Sequence, residues 1–394
     1  MAARASLSPE ARIVFRSADP TGAPAEFAAL AREVRDWTRV ARLAEREVAT
    51  TGLWRGLRHD AAVIPTEVAK HLRKSAMMHE LRMQHLSKRV QRTTQLLAER
   101  KIPCLLLKGA AVGALVDPTF RARPMSDVDL LVRRADVPPT REAILAAGWL
   151  ESSDPVMPEL FAKHHHLPPF FDPQMQDMRI EVHTAIIPED HSFAFDESHM
   201  WAEASPAPAP FTGAHVPSRE HLLLHSCVHF AWQHTMQFGA WRSFRVVALI
   251  TAPAFDWDRF VGVAQAARAQ TACYWTLRLA ASMCGIAAPP GVLARLAPPT
   301  PAWALDALER SFIASIAIGE RPASPSVRLT RFLWRAALRP KWSGHHSPGP
   351  WDPEQRWERT LGTLSTERLP ARFARHLRGY RDWWRFLTET LLRR

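Results

Sequence analysis

A chain of 394 residues is long enough for roughly two or three domains and at least one sizeable core, which excludes a small stapled scaffold. Its four cysteines, Cys104, Cys227, Cys273 and Cys284, are far apart, with neither C-x-x-C spacing nor the density of a secreted disulfide framework, so a reducing cytoplasm is the expected location. Lys plus Arg number 51 against 39 for Asp plus Glu, a formal charge of +12. This balance favours anionic partners such as nucleotides, nucleic acid or acidic lipids without choosing among them.

The N-terminus, "MAARASLSPEARIVFRSADP", lacks the apolar h-region of a signal peptide, and no run approaches the ~18–20 apolar residues of a membrane span. A soluble protein is expected. From Glu26 to His59, Phe27, Leu30, Val34, Trp37 and Val40 recur at steps of three or four, which predicts one apolar helix face with a break at Thr50-Thr51-Gly52. A second helix is predicted from about Pro65 to Lys101.

The character changes at Ile102-Pro103. "CLLL" suits a strand buried on both faces, with Cys104 a small core residue, and "GAAVGALV" suits a tightly packed helix that Asp117-Pro118 ends. "SDVDLLV" is a second strand, and "PPTREAILAAG" is a helix stopped by Gly148. Further strands are predicted around "HHHLPPFF" and "MRIEVHTAI", either side of the turn "DPQMQD". Residues 204–217 have the composition of a linker or loop. "SREHLLLHSCVHFAWQH" opens a further helical series, with breaks at "RPASPSV" and "SGHHSPGPWDPE". The predicted architecture is an α/β core with a mixed sheet over residues 101–210, flanked by a helical region over 1–100 and a helical domain over 211–394.

On a strand, side chains two apart share a face, so Asp127 and Asp129 present both carboxylates on one side while Val128 faces the other. Paired carboxylates repel without a cation, and clustered carboxylate oxygens are preferred ligands of Mg²⁺. Ahead of them, Lys108-Gly109 lies between a strand and a helix, where free N–H groups and the helix dipole suit phosphate. Together these features point to a Mg-nucleotide site.

The segment "LLLKGAAVGALV…RARPMSDVDLLV" resembles the nucleotidyltransferase superfamily of the DNA polymerase β and kanamycin nucleotidyltransferase type. More closely, Lys-Gly followed by R-x-x-S-D-x-D-L-L-V resembles a bacterial family of uncharacterised nucleotidyltransferases. The resemblance is strongest from Gln95 to His183 and weaker from Glu220 to His234. It implies a third carboxylate on a later strand, best matched by Glu181, with Asp172 and Asp177 as competitors beside turn signals. Asp127, Asp129 and Glu181 would then be the catalytic metal ligands for two Mg²⁺ ions. Lys108, Gly109, Ala110, Arg123 and Ser126 would contact a nucleoside triphosphate such as ATP. Ala110 departs from the superfamily pattern, which has a serine after the glycine, so Lys108 or Arg123 would replace the hydroxyl contact. His183, His225 and His229 would line the cleft.

The implied reaction is transfer of NMP to an acceptor hydroxyl on a small molecule, peptide, protein or RNA end, with release of pyrophosphate. Two alternatives stand beside it: a nucleotide-binding accessory protein without turnover, and an RNA-directed transferase using basic helices. His221, His225 and His229 recur every four residues, compatible with metal ligation, but no fourth ligand accompanies them and packing is the favoured reading. His164-His165-His166 is expected at a cleft edge rather than as a ligand set. The C-terminal "RLPARFARHLRGYRDWWRFLTETLLRR" mixes arginine with Trp383, Trp384 and Phe386. It suits stacking on nucleic acid or an anionic membrane, and suits better a terminal helix packed on the protein.

Overall fold

The structure, a computed structural model, describes residues 7–152, 161, 164–187, 193–252, 254–317, 333–334 and 337–338. The Arg/Trp-rich C-terminal segment and the breaks at 321–327 and 343–354 lie outside the described residues.

The chain begins with α1 (Pro9–Arg16), α2 (Pro24–Glu33), α3 (Trp37–Arg46) and α4 (Thr50–Leu57), followed by the long α5 (Thr66–Glu99). The single helix expected from Phe27 to Val40 is two. Val34 is extended, and the Asp36 side chain accepts from the Arg39 N–H at 2.9 Å to start a new helix. A side chain able to cap outcompetes continued apolar periodicity here. The expected break at Thr50-Thr51-Gly52 is instead the first turn of α4; the chain reverses just before it, at Val48, with φ +58. Gly52 is a packing residue: a Cβ there would lie 2.5 Å from the Trp241 ring.

Next come β1 (Cys104–Leu106), α6 (Lys108–Val116), β2 (Asp127–Leu131), α7 (Val137–Ala146), β3 (Leu150–Glu151), β4 (Phe170–Phe171) and β5 (Arg179–His183). After α8 (Glu197–Ala202) follow β6 (Ser205–Pro206) and β7 (Ala214–Val216). The seven strands form one mixed sheet in the order β3-β4-β5-β2-β1-β7-β6. Of the two readings of residues 204–217, linker or loop, the structure shows a loop with two short strands in it. These residues carry β7 onto β1 in parallel, Cys104 opposite Ala214, and β6 antiparallel onto β7. Pairing to the free edge of β1 overrides a turn-rich composition, and Pro206 is tolerated because β6 is the edge strand. The sheet thus runs past residue 210, where the core was expected to end.

At the centre, β2 and β5 pair in parallel. Val128, Leu130, Ile180 and Val182 turn to one side and are fully buried, each contributing about 1.5–3 kcal/mol of apolar burial. That fixes the register and turns the alternate residues to the other face. A helical series follows: α9 (Arg219–Val228), which runs into a π-helical turn at His229–Gln233, α10 (Ala240–Thr251), α11 (Trp257–Ala266), α12 (Gln270–Cys284), α13 (Pro290–Leu296) and α14 (Ala302–Ala317). Both α9 and α10 pack on α6, which brings the helical series against the turn that opens α6. Among the described residues no helix is long and apolar enough to cross a membrane.

Candidate active site

The β2–β5 register sets the site. Asp127 lies opposite Arg179, Asp129 opposite Glu181 and Leu131 opposite His183, and residues opposite one another in a sheet point to the same face. Two strands far apart in sequence therefore place three carboxylates, an arginine and a histidine on one surface.

Asp129 is its centre, 2% exposed. Its Oδ1 accepts from Lys108 Nζ at 2.8 Å and from His183 Nε2 at 2.8 Å. Burial alone would raise its carboxyl, but the Lys108 charge and the His183 hydrogen bond hold it well below the usual carboxylate range. Burial likewise opposes the Lys108 ammonium, yet Asp129 and Asp127 outweigh it and keep Lys108 above the ordinary lysine value.

Glu181 goes the other way: burial, then the neighbouring charge of Asp129, raise it above the ordinary glutamate value. Lys108 and His183 temper this. Arg179 lies alongside, with Nε 2.9 Å from Glu181 Oε1 and a terminal nitrogen 3.8 Å from Asp127 Oδ2. His166 Nε2 stands 3.9 Å from Glu181 Oε2. The competing acids are engaged elsewhere. Asp172 pairs with His85 and Arg89 and accepts the turn N–H groups of Gln174 and Met175, while Asp177 pairs with Arg82.

Around the turn, Lys108 opens α6 with φ +43, and Gly109 follows it. A Cβ on Gly109 would lie 2.1 Å from an Arg123 terminal nitrogen and 3.1 Å from Met125 Sδ, so glycine here makes room for a guanidinium. Arg123 is pushed down to about 10, by burial first and then by Arg242, against the pull of Asp127 and Asp129. Ser126 lies next to Asp127, and its carbonyl accepts the Arg179 N–H at 3.0 Å. Ala110 is not brought to the surface of the site: it is 1% exposed and its N–H already bonds the Leu107 carbonyl at 3.1 Å. The α6 donors open to a phosphate are thus limited to the turn itself.

On α9 and the turn after it, His225 and His229 lie in the field of Lys108 and Asp129. Both are held neutral; burial, followed by Lys108, pushes His225 down to about 3. His221 belongs to another neighbourhood, with Ser218 and Glu203, so the four-residue stripe does not converge as one ligand set. Two features escaped the sequence reading. Arg179, two residues before Glu181, shares its face by strand alternation. The triplet His164, His165 and His166 folds into a cluster of its own, with ligand atoms within 4.8 Å of one another.

Ligand atoms of Asp129, Glu181 and His183 also lie within 4.8 Å of one another. With Asp127 alongside, the donor set is mainly carboxylate, and the upward push that Asp129 and Asp127 exert on Glu181 is what a divalent cation would relieve. The residues fit such an ion. Cationic Lys108, Arg123 and Arg179 add a surface suited to phosphate.

No curated protein and no solved structure shows significant similarity to the chain. A family model described as uncharacterised nucleotidyltransferase matches residues 33–285, more than half of the chain and the whole span from Lys108 through Asp127, Asp129 and Glu181 to His225; the chain belongs to this nucleotidyltransferase family.

Proposed function

We propose that the protein is a Mg²⁺-dependent enzyme that transfers NMP from a nucleoside triphosphate to an acceptor hydroxyl and releases pyrophosphate. The observation that carries this reading is the parallel register that sets Asp129 beside Glu181, with Asp127 on the same face. Mg²⁺ held by Asp127, Asp129 and Glu181 would neutralise phosphate charge and stabilise both oxygens of an in-line displacement at the α-phosphate.

The chain's own groups supply the rest. Lys108, at the start of α6, carries the positive charge closest to Asp129 and is placed to hold a triphosphate oxygen once a cation takes over its carboxylate partner. Arg123, given room by Gly109, supports the same phosphates from the other side of the turn. Glu181 closes the ligand set on the acceptor side. Buried His183 donates to Asp129 and orients its carboxylate. We place the catalytic core on the seven-stranded sheet, with helical regions before and after it.

Incubation with each NTP, labelled either at the α- or at the γ-phosphate, with Mg²⁺ and an extract of the source cells, tests the reading. The α-label is expected on an acceptor and the γ-label in released pyrophosphate, and both products are expected to vanish in Asp127→Ala and Asp129→Ala. Transfer of the γ-label to an acceptor, no labelled product with any NTP, or labelling that survives both substitutions would overturn it. Absence of product with retained nucleotide binding would point instead to an accessory protein.

A further inference from the structure

The histidine triplet is anchored to the end of β5. His166 bridges His183, the Leu167 N–H bonds the Val182 carbonyl at 2.9 Å, and the Thr184 N–H bonds the His165 carbonyl at 2.8 Å. These bonds hold a run that would otherwise alternate faces, and its rings gather. The His164 and His166 centroids are 3.9 Å apart, and the His183 ring lies 5.0 Å from His166 and 5.2 Å from His165.

Hydrogen bonding then fixes a tautomer. His166 Nδ1 lies 2.8 Å from the Leu167 carbonyl oxygen, which can only accept, so Nδ1 carries the proton and Nε2 presents a lone pair. That lone pair faces Glu181 Oε2 at 3.9 Å, beyond hydrogen-bond length. Two acceptors facing each other at this distance leave a gap that a cation between them would satisfy. The donors of one ion, each bound at about 2.0–2.2 Å, lie at most about 4.4 Å apart, so 3.9 Å is within a single ion's span. His165, 8% exposed, adds a buried Nδ1 without a hydrogen-bond partner.

We propose that Glu181 and the His164–His166 triplet form a site for a divalent transition ion of the Zn²⁺ or Co²⁺ class, beside the carboxylate position at Asp127 and Asp129. Imidazole nitrogens with one carboxylate suit such ions, whereas Mg²⁺ prefers oxygen throughout. The proposal shares Glu181 with the nucleotidyl-transfer reading and rests on it only for that residue's assignment as a cation ligand.

The test is a Co²⁺ titration of the full chain, stripped with chelator and free of nucleotide, read by visible absorption. One Co²⁺ per chain is expected, resistant to millimolar Mg²⁺. His166→Ala is expected to weaken it about 100-fold or more, beyond the usual loss for a supporting residue, and Asp127→Ala by less than about 10-fold. X-ray absorption of the unmutated, Zn²⁺-loaded chain should show scattering from at least two imidazoles, a readout that does not depend on a variant folding. Absence of stoichiometric binding, displacement by equimolar Mg²⁺, or an all-oxygen ligand shell overturns the site. Mg²⁺-supported transfer without any nitrogen-ligated ion would overturn this site and leave the proposed function. A nitrogen-ligated ion in a chain that transfers no nucleotide would do the reverse.

Discussion

Lys108 Nζ lies 2.8 Å from Asp129 Oδ1, so the residue best placed for a phosphate and the residue best placed for a cation neutralise each other. On the proposed function, binding of a metal–nucleotide complex would be an exchange, in which the ammonium passes to phosphate as the carboxylate passes to the cation. Lys108→Met should strand Asp129, 2% exposed, with only the His183 hydrogen bond. Removing one partner of a buried pair costs about 3–5 kcal/mol. Calorimetric melting in EDTA should show that loss, millimolar Mg²⁺ should restore part of it, and adding Asp129→Asn should restore more. A Lys108→Met chain that melts with the parent in EDTA would refute the pairing argument.

Gly109→Ala separates stability from binding. The added methyl would meet an Arg123 terminal nitrogen at 2.1 Å, and the far end of a long side chain can swing away at little cost. Melting should therefore change little, while calorimetric affinity for a nucleoside triphosphate falls about 10-fold, about 1.4 kcal/mol, through loss of one charge-assisted contact. In an Arg123→Ala background the same methyl should have almost no further effect, and a full second loss there would show that Gly109 acts through something other than Arg123.

Local pattern carried the β1–α6–β2 unit. Its apolar runs, the Lys108-Gly109 turn and the Asp127/Asp129 alternation are all short-range, as is the alternation that puts Glu181 and His183 on one face of β5. Features that depended on distant partners were not legible. The composition of residues 204–217 could not reveal the free edge of β1 that recruits Ala214. Nothing near Lys108 showed that its ammonium would turn to Asp129. The triplet reads as alternating until its bridge to His183 is known. Arg179 was within reach, since "RIEVH" puts it on the face of Glu181, but an arginine at a strand's start reads equally well as a solvated charge.

Arg179 holds Glu181 Oε1 at 2.9 Å and Asp127 Oδ2 at 3.8 Å, and its side chain is 41% exposed. If those carboxylates hold the cation of the proposed function, Arg179 would compete with it for both in the absence of nucleotide. With the arginine itself exposed and screened, these pairs are worth about 0–1 kcal/mol, so Arg179→Gln should tighten Mn²⁺ binding up to about fivefold. The gain should shrink as salt rises. Weaker Mn²⁺ binding in this variant would mean that Arg179 positions Glu181 rather than competing for it.

His225 gives the molecule a predictable response to acid. It is 1% exposed, and neither ring nitrogen has a hydrogen-bond partner. Burial, then the Lys108 charge and His183, with Asp129 opposing, push it from 6.5 down to about 3. His229, beside it, is held well below 6.5 by burial, Lys108, His234 and His225. Between these limits the unfolded chain binds the proton and the folded chain does not. Stability is therefore full above about pH 6.5 and is lost as pH falls toward 3, at up to about 1.4 kcal/mol per pH unit for each such histidine. His225→Phe should lower that slope by about one proton between pH 6 and 4, measured from urea midpoints across the range. The depressed carboxyl of Asp129 contributes in the same direction only at still lower pH. Because the slope is read rather than the absolute stability, any packing cost of the phenyl ring common to all pH values drops out, and equal slopes for parent and variant would show that His225 takes up its proton in the folded chain.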